Sequence, residues 1–194
     1  MPRKNTGKTP VPGPGADWLE TVKARAGRGN RILFAKDDAL LHPLAELLQR
    51  ESRRTVTLWA LGLAEEAAAQ LSQAHPGEAR PENAVQAARA WAAGVIRMPL
   101  ARQAILSCHA LARELTAPGD IARCHAVAQG CSVVPTTGHA MGLPVYELTA
   151  VVRERGLENC REAVERRSRE YSDRLLYCER HTEEYSGPWA AFLR

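Results

Sequence analysis

Residues 80–94, Arg80-Pro81-Glu82-Asn83-Ala84-Val85-Gln86-Ala87-Ala88-Arg89-Ala90-Trp91-Ala92-Ala93-Gly94, read as one short helix with both ends marked. Pro81 suits the first helical position, where a missing N–H costs nothing and a fixed φ is already helical. Glu82 places a carboxylate at the positive end of the helix dipole. Gly94 suits the left-handed residue just past the last turn. Ala84, Ala88, Trp91 and Val95 recur at helical spacing and are expected inside. Alanines on that face let a neighbouring helix come close, and Trp91 fills the remaining space. Arg89 lies beside the stripe and calls for a carboxylate, a row of carbonyls or a stem that reaches water. The next segment repeats the design: Pro99 opens a helix carrying Ile105, Cys108, Leu111, Ala112 and Leu115, with His109 and Arg113 one turn apart on its flank.

Working outward, the same periodicity recurs. Residues 1–15 hold four prolines and three glycines and are expected to be a disordered basic arm. Asp17 caps a short helix to Ala26, with Trp18 and Val22 on one face. Residues 31–35 are an extended apolar run. Asp37 is expected to cap a helix to Arg50, beginning nearer Pro43 if that proline is to be tolerated, with Leu40, Leu41, Leu44, Leu47 and Leu48 inward. Ser52 to Ala74 is the clearest helix, with Val56, Trp59, Ala60, Leu63, Ala67 and Leu71 recurring at threes and fours. Pro118-Gly119-Asp120 reads as a turn and cap before a helix over 121–134, which packs closely through Gly130 and Ser132. A helix over 136–155 is kinked or split by Pro144 and ended by Gly156. Leu157, Cys160, Val164, Tyr171, Leu175, Cys178 and Tyr185 mark one long C-terminal helix, braced by Glu162–Arg166 and Glu165–Arg169 pairs. Its narrow stripe packs on the core or on a second copy of the chain. Trp189 and Phe192 are expected to dock back on the body. The architecture expected is all-α: about seven to eight mostly antiparallel helices in a single domain over 16–194, stacked as an irregular solenoid if neighbours pack only in sequence order.

Composition agrees. Aromatics are only 5% of the 194 residues, which suits helices packed through small residues and not a β-sandwich. The formal charge is +4. Seven basic residues (Arg3, Lys4, Lys8, Lys23, Arg25, Arg28, Arg31) face two acidic ones (Asp17, Glu20) before residue 32, a surplus of five that leaves the rest at −1. The basicity is therefore assigned to the N-terminal region. Five cysteines in no CxxC pair, with no apolar signal segment, point to free thiols in a reducing cytoplasm. No run is long and apolar enough to span a membrane.

The chemistry-bearing residues gather between 108 and 139. Cys108-His109, Cys124-His125, Cys131 and His139 are the ligand types that zinc takes. They lack the tight Cys spacing of structural zinc sites, and adjacent Cys and His residues point about 100° apart on a helix. Buried thiols and hydrogen-bonded imidazoles are expected instead, with no metal and no cofactor. A hydrolase pairing Cys108 or Cys131 with His109, His125 or His139 has only Glu114 and Asp120 nearby to orient it. Nucleic-acid binding through the arm, through Arg50, Arg53 and Arg54, or through Arg161, Arg166, Arg167 and Arg169 lacks an aromatic platform, and carboxylates interleave with these arginines. Gly7-Lys8-Thr9 lacks the earlier glycine of a phosphate loop.

The segments around Leu58-Trp59-Ala60-Leu61, Arg80-Pro81, Ala87-Ala88-Arg89-Ala90-Trp91, Gly94, Ala101-Arg102, His109-Ala110, Ala112-Arg113 and His139-Ala140 resemble a family of small all-helical bacterial immunity proteins, over about residues 50–152. The resemblance implies a non-catalytic protein that neutralises a polymorphic toxin by binding it. It singles out Trp59, Arg80, Pro81, Arg89, Trp91, His109, Arg113 and His139 as motif positions. Gly130-Cys131 and Pro135-Thr136 stand where the family usually carries Gly-His and Ala-His, a departure that weighs against a shared histidine site. The partner implied is a protein toxin, with a homodimer through the C-terminal helix as a further arrangement.

Overall fold

The computed structural model describes residues 17–193, so the arm expected over 1–15 lies outside the described residues. Eight α-helices follow in order: α1 Trp18–Gly27, α2 His42–Leu48, α3 Arg53–Ala74, α4 Arg80–Ala92, α5 Met98–Leu111, α6 Pro118–Cys131, α7 Gly142–Arg155 and α8 Arg161–His181. No strand occurs among the described residues.

The organising element is α3. Ser52 caps it by accepting from the Thr55 N–H, and Val56, Trp59, Ala60, Leu63, Ala67 and Leu71 are all buried. A fully buried leucine of this kind contributes roughly 1.5–3 kcal/mol. Around it lie α4, α6, α7 and α8, while α6 also packs on α5 and most extensively on α7. A stack touching only sequence neighbours would not bring α3 to α6, α7 and α8, so the helices form a bundle around one rod. Gly130 lets α6 reach α3: a Cβ there would stand 2.9 Å from the Ala64 Cβ, 3.1 Å from the Ala60 carbonyl oxygen and 2.6 Å from Leu143 Cδ1.

The helix ends mostly follow the sequence, with informative exceptions. The α4 terminus closes as expected: Gly94 has φ 78°, with Gly94 N–H donating to the Trp91 carbonyl and Val95 N–H to the Ala90 carbonyl. That reversal carries Val95 out of the helix, so it is 73% exposed instead of completing the Ala84, Ala88, Trp91 stripe. Leu115 likewise falls beyond the end of α5. Pro118 begins α6 from inside its first turn, and the helix stops at Cys131. Pro144 splits the expected 136–155 helix: a 3-10 turn at Thr137–His139 precedes α7, in whose first turn the proline sits. Asp37 caps no helix. Asp38 takes the bend instead, accepting from both Arg25 guanidinium nitrogens at 2.5 and 2.8 Å and from Ala35 N–H at 2.8 Å.

Residues 31–35 have no regular secondary structure, with a bend at Arg31. Leu33 and Phe34 are buried, and the run is pinned by Leu33 N–H to Thr149 Oγ1 at 3.1 Å and Arg25 to the Leu33 carbonyl at 2.9 Å. The long C-terminal helix spans Arg161–His181, shorter than the stripe suggested: Leu157 precedes it and Tyr185 follows it. Val164, Tyr171 and Leu175 are buried where α8 meets α2, α3 and α7. Its surface pairs run Arg161–Glu165 and Arg166–Glu170, in place of the two pairs expected. Residues 189–193 dock as anticipated: Ala190 N–H donates to the Ala92 carbonyl at 2.7 Å, Phe192 packs on Trp91 at 5.8 Å, and Arg53 and Arg54 hold the carbonyls of Phe192 and Leu193.

Candidate functional site

A groove of about 1130 Å³ opens where residues 29–32 meet the end of α5, the start of α6 and the middle of α7. Its floor is apolar, from Ile32, Leu106, Ala110, Ala112, Ile121 and Ala122. Its polar groups are Arg31, Arg113, Arg153, His109, His125 and Tyr146. No Asp or Glu lines it. Arg153 donates one N–H to the Asn30 carbonyl at 2.6 Å, which holds the 29–32 loop against α7. Helix α5 also leaves apolar side chains uncovered: Leu106, which lines the groove, is 47% exposed, and Leu100 and Met98, outside it, are 58% and 48% exposed.

His109 and His125 stand together inside the groove, Nδ1 to Nδ1 at 2.9 Å, with ring centroids 5.1 Å apart. One Nδ1 must carry the proton and the other accept it. Burial lowers both below the ordinary imidazole value, and for His109 the neighbouring ring adds to this. The Tyr146 ring lies 5.1 Å from His125. The cysteines do not join them. Cys108 donates to the Cys124 carbonyl at 3.5 Å. Burial pushes the Cys124 and Cys131 thiols up to about 12 and the Cys108 thiol higher still. A thiol held protonated in the core is a poor nucleophile. Among the described residues, no three His, Cys, Asp or Glu side chains are grouped to hold a metal ion. His139 is exposed, with its ring 3.3 Å from the Gln129 side-chain oxygen.

Behind the groove, α3, α6, α7 and α8 share a buried ion network. Glu147 is 3% exposed. It accepts from Arg167 at 2.8 Å and from the Tyr171 hydroxyl at 2.9 Å. Burial pushes its carboxyl up, against the pull of Arg167. Burial is the largest single influence on Arg167 and works against its charge, but Glu147, Tyr171 and Glu170 together outweigh it and hold that guanidinium protonated. Arg167 also meets Glu66 at 3.2 Å and Glu170 at 3.1 Å. Arg123 pairs with Glu154 and, at 3.4 Å, with Asp120. Trp59 closes the assembly, its indole N–H donating to the Tyr171 carbonyl at 2.9 Å.

The motif positions therefore divide. Trp59, Pro81 and Trp91 are buried and hold helices together. Arg80 is clasped by Glu78 and Glu114, and Arg89 finds its carboxylate in Glu65 at 2.5 Å. Only His109 and Arg113 enter the groove. A family model described as Imm-5 like putative immunity protein matches residues 46–174. The chain belongs to this immunity protein family. The match covers α3 through most of α8, so it takes in both the ion network and most of the groove. No curated protein and no solved structure matches the chain.

Sequence reading missed half of the groove. Arg31 was assigned to a basic N-terminal region, yet it lines the groove, and Arg25 is tied into the fold through Asp38. Arg153 and Tyr146 gave no local signal, because only the packing of α7 beside α5 and α6 brings them there. Among the arginines weighed for nucleic acid, Arg53 and Arg54 hold the chain end, Arg161 pairs with Asp17, and Arg167 belongs to the buried network. No helix of the described residues is long and apolar enough to cross a membrane.

Proposed function

We propose that this immunity protein neutralises a bacterial toxin by binding it directly, and that recognition, not catalysis, is its activity. The observation that carries this reading is the groove: open, apolar-floored and basic, with no carboxylate on its walls and with the nearby thiols shut into the core. A Cys/His hydrolase needs an ionisable thiol beside its imidazole and a carboxylate behind it. Here His109 turns toward His125, and the two acids once considered are engaged elsewhere, Glu114 with Arg80 and Asp120 with His75 and Arg123. A stable protein interface covers roughly 800 Å² on each partner. That extent favours a contact that covers the groove and reaches beyond it onto α5, whose Leu106, Leu100 and Met98 are apolar and uncovered.

The test is co-expression with bacterial toxin domains taken from neighbouring genes. Cells should survive, and the two proteins should co-purify in a fixed ratio. Protection by far less than one equivalent would point to enzymatic inactivation and sink the binding reading, as would protection without a complex.

A further inference from the structure

We propose that the groove receives an acidic segment of the toxin, whose carboxylates meet Arg31, Arg113 and Arg153 while its apolar side chains rest on Ile32, Leu106 and Ile121. This rests on the toxin-binding reading and adds the chemistry of the partner.

The argument is one of charge left open. Near α5 and α6, Arg80 is met by Glu78 and Glu114 and Arg123 by Glu154 and Asp120, whereas Arg97 and Arg102, at the start of α5, are exposed and isolated from one another's charge by solvent. What sets the groove apart is that three such arginines line one apolar floor with no acid among its lining residues. Arg31 and Arg113 meet no carboxylate among the described residues, and Arg153 meets only a backbone carbonyl. Three guanidiniums around one apolar floor repel one another, and an anionic occupant removes that cost. The imidazoles of His109 and His125 add neutral polar groups and no negative charge. Size separates the candidate occupants. Small-molecule clefts run to about 300–1,000 Å³, whereas this groove is about 1130 Å³ and open along one side. That suits a stretch of polypeptide better than a lone anion. Arginine forks pair bidentately with carboxylates, which fixes the register of such a segment. The basic cleft of a nuclease would be repelled here, so the surface recognised on the toxin is an acidic one.

The experiment uses the full chain and a short helical peptide of glutamate, leucine and alanine. Its controls are the same peptide with glutamine for glutamate, and inorganic phosphate. Calorimetry gives affinity, and the ring C–H signals of His109 and His125 report the place. The glutamate peptide should bind in a salt-sensitive way and move both histidine signals. The glutamine peptide and the Arg31→Ala/Arg113→Ala/Arg153→Ala variant should each weaken binding by about tenfold or more, the loss expected for charge-assisted hydrogen bonds. Arg113→Glu alone, at an exposed position past α5, serves if the triple variant unfolds. Equal binding of the glutamate and glutamine peptides would overturn the proposal. Unmoved histidine signals would do so too, and so would phosphate binding as tightly as the peptide. The toxin assay keeps the two ideas apart. A triple variant that still protects cells overturns the acidic-segment proposal alone, while a wild-type chain that fails to protect overturns the toxin reading.

Discussion

Two arginine clusters share α6 and are handled in opposite ways. On one side Arg123 and Arg167 sit among Glu66, Glu147, Glu154 and Glu170. On the other, Arg31, Arg113 and Arg153 stand around His125 with no acid beside them. Charge inside the fold is neutralised within the chain because burying an unpaired ion is costly. Charge at the groove can stay unpaired because water still reaches it. The first arrangement fixes how α3, α7 and α8 pack. The second leaves binding energy for something outside the molecule.

The contrast can be broken most forcefully at Glu147. Glu147→Gln leaves Arg167 without its closest carboxylate and should cost about 3 kcal/mol of stability, read by urea unfolding. Replacing both partners with apolar residues, Glu147→Leu with Arg167→Met, should recover most of that loss. If the single variant were as stable as the parent, the network would not be structural. Gly130→Ala comes next. Leu143 Cδ1 can swing aside, but the Ala64 Cβ and the Ala60 carbonyl belong to the central helix. Overpacking should cost about 1–3 kcal/mol and, by shifting α6, should disturb the network and the groove together. Groove arginines should behave differently: Arg113→Ala is expected to change stability by no more than about 0.5 kcal/mol, while weakening toxin binding.

The smallest effect is the dependence on pH. Burial lowers His109 and His125, so below neutrality the unfolded chain takes up protons that the folded one refuses. The contribution is complete above the ordinary imidazole value of about 6.5 and is lost as pH falls through the lowered folded values. Stability measured across that range should decline on acidification, and His109→Gln/His125→Gln should flatten the slope.

How much of this was legible follows the range of the interactions. Caps, prolines and glycines act within a few residues, so Ser52, Pro81, Gly94 and Gly156 marked helix ends faithfully. Val95 shows the limit of periodicity, because the left-handed turn at Gly94 breaks the count that placed it inside. Arg167 was legible only as one of a run of charged residues, since nothing local reveals that its partner Glu66 lies 101 residues away. The groove was half visible. His109 and Arg113 fall on one helical flank, but Arg31 and Arg153 join them only through the tertiary packing of the 29–32 segment and α7.

The shuttered sulfurs turn the molecule into its own stopwatch. Cys108, Cys124, Cys131 and Cys160 are inside and Cys178 is half covered, and alkylating reagents attack only the ionised, accessible form. Iodoacetamide at mildly alkaline pH should therefore mark the native protein slowly, Cys178 first. The uptake of label at the other four then clocks how often the helices part, and a docked toxin should slow every tick.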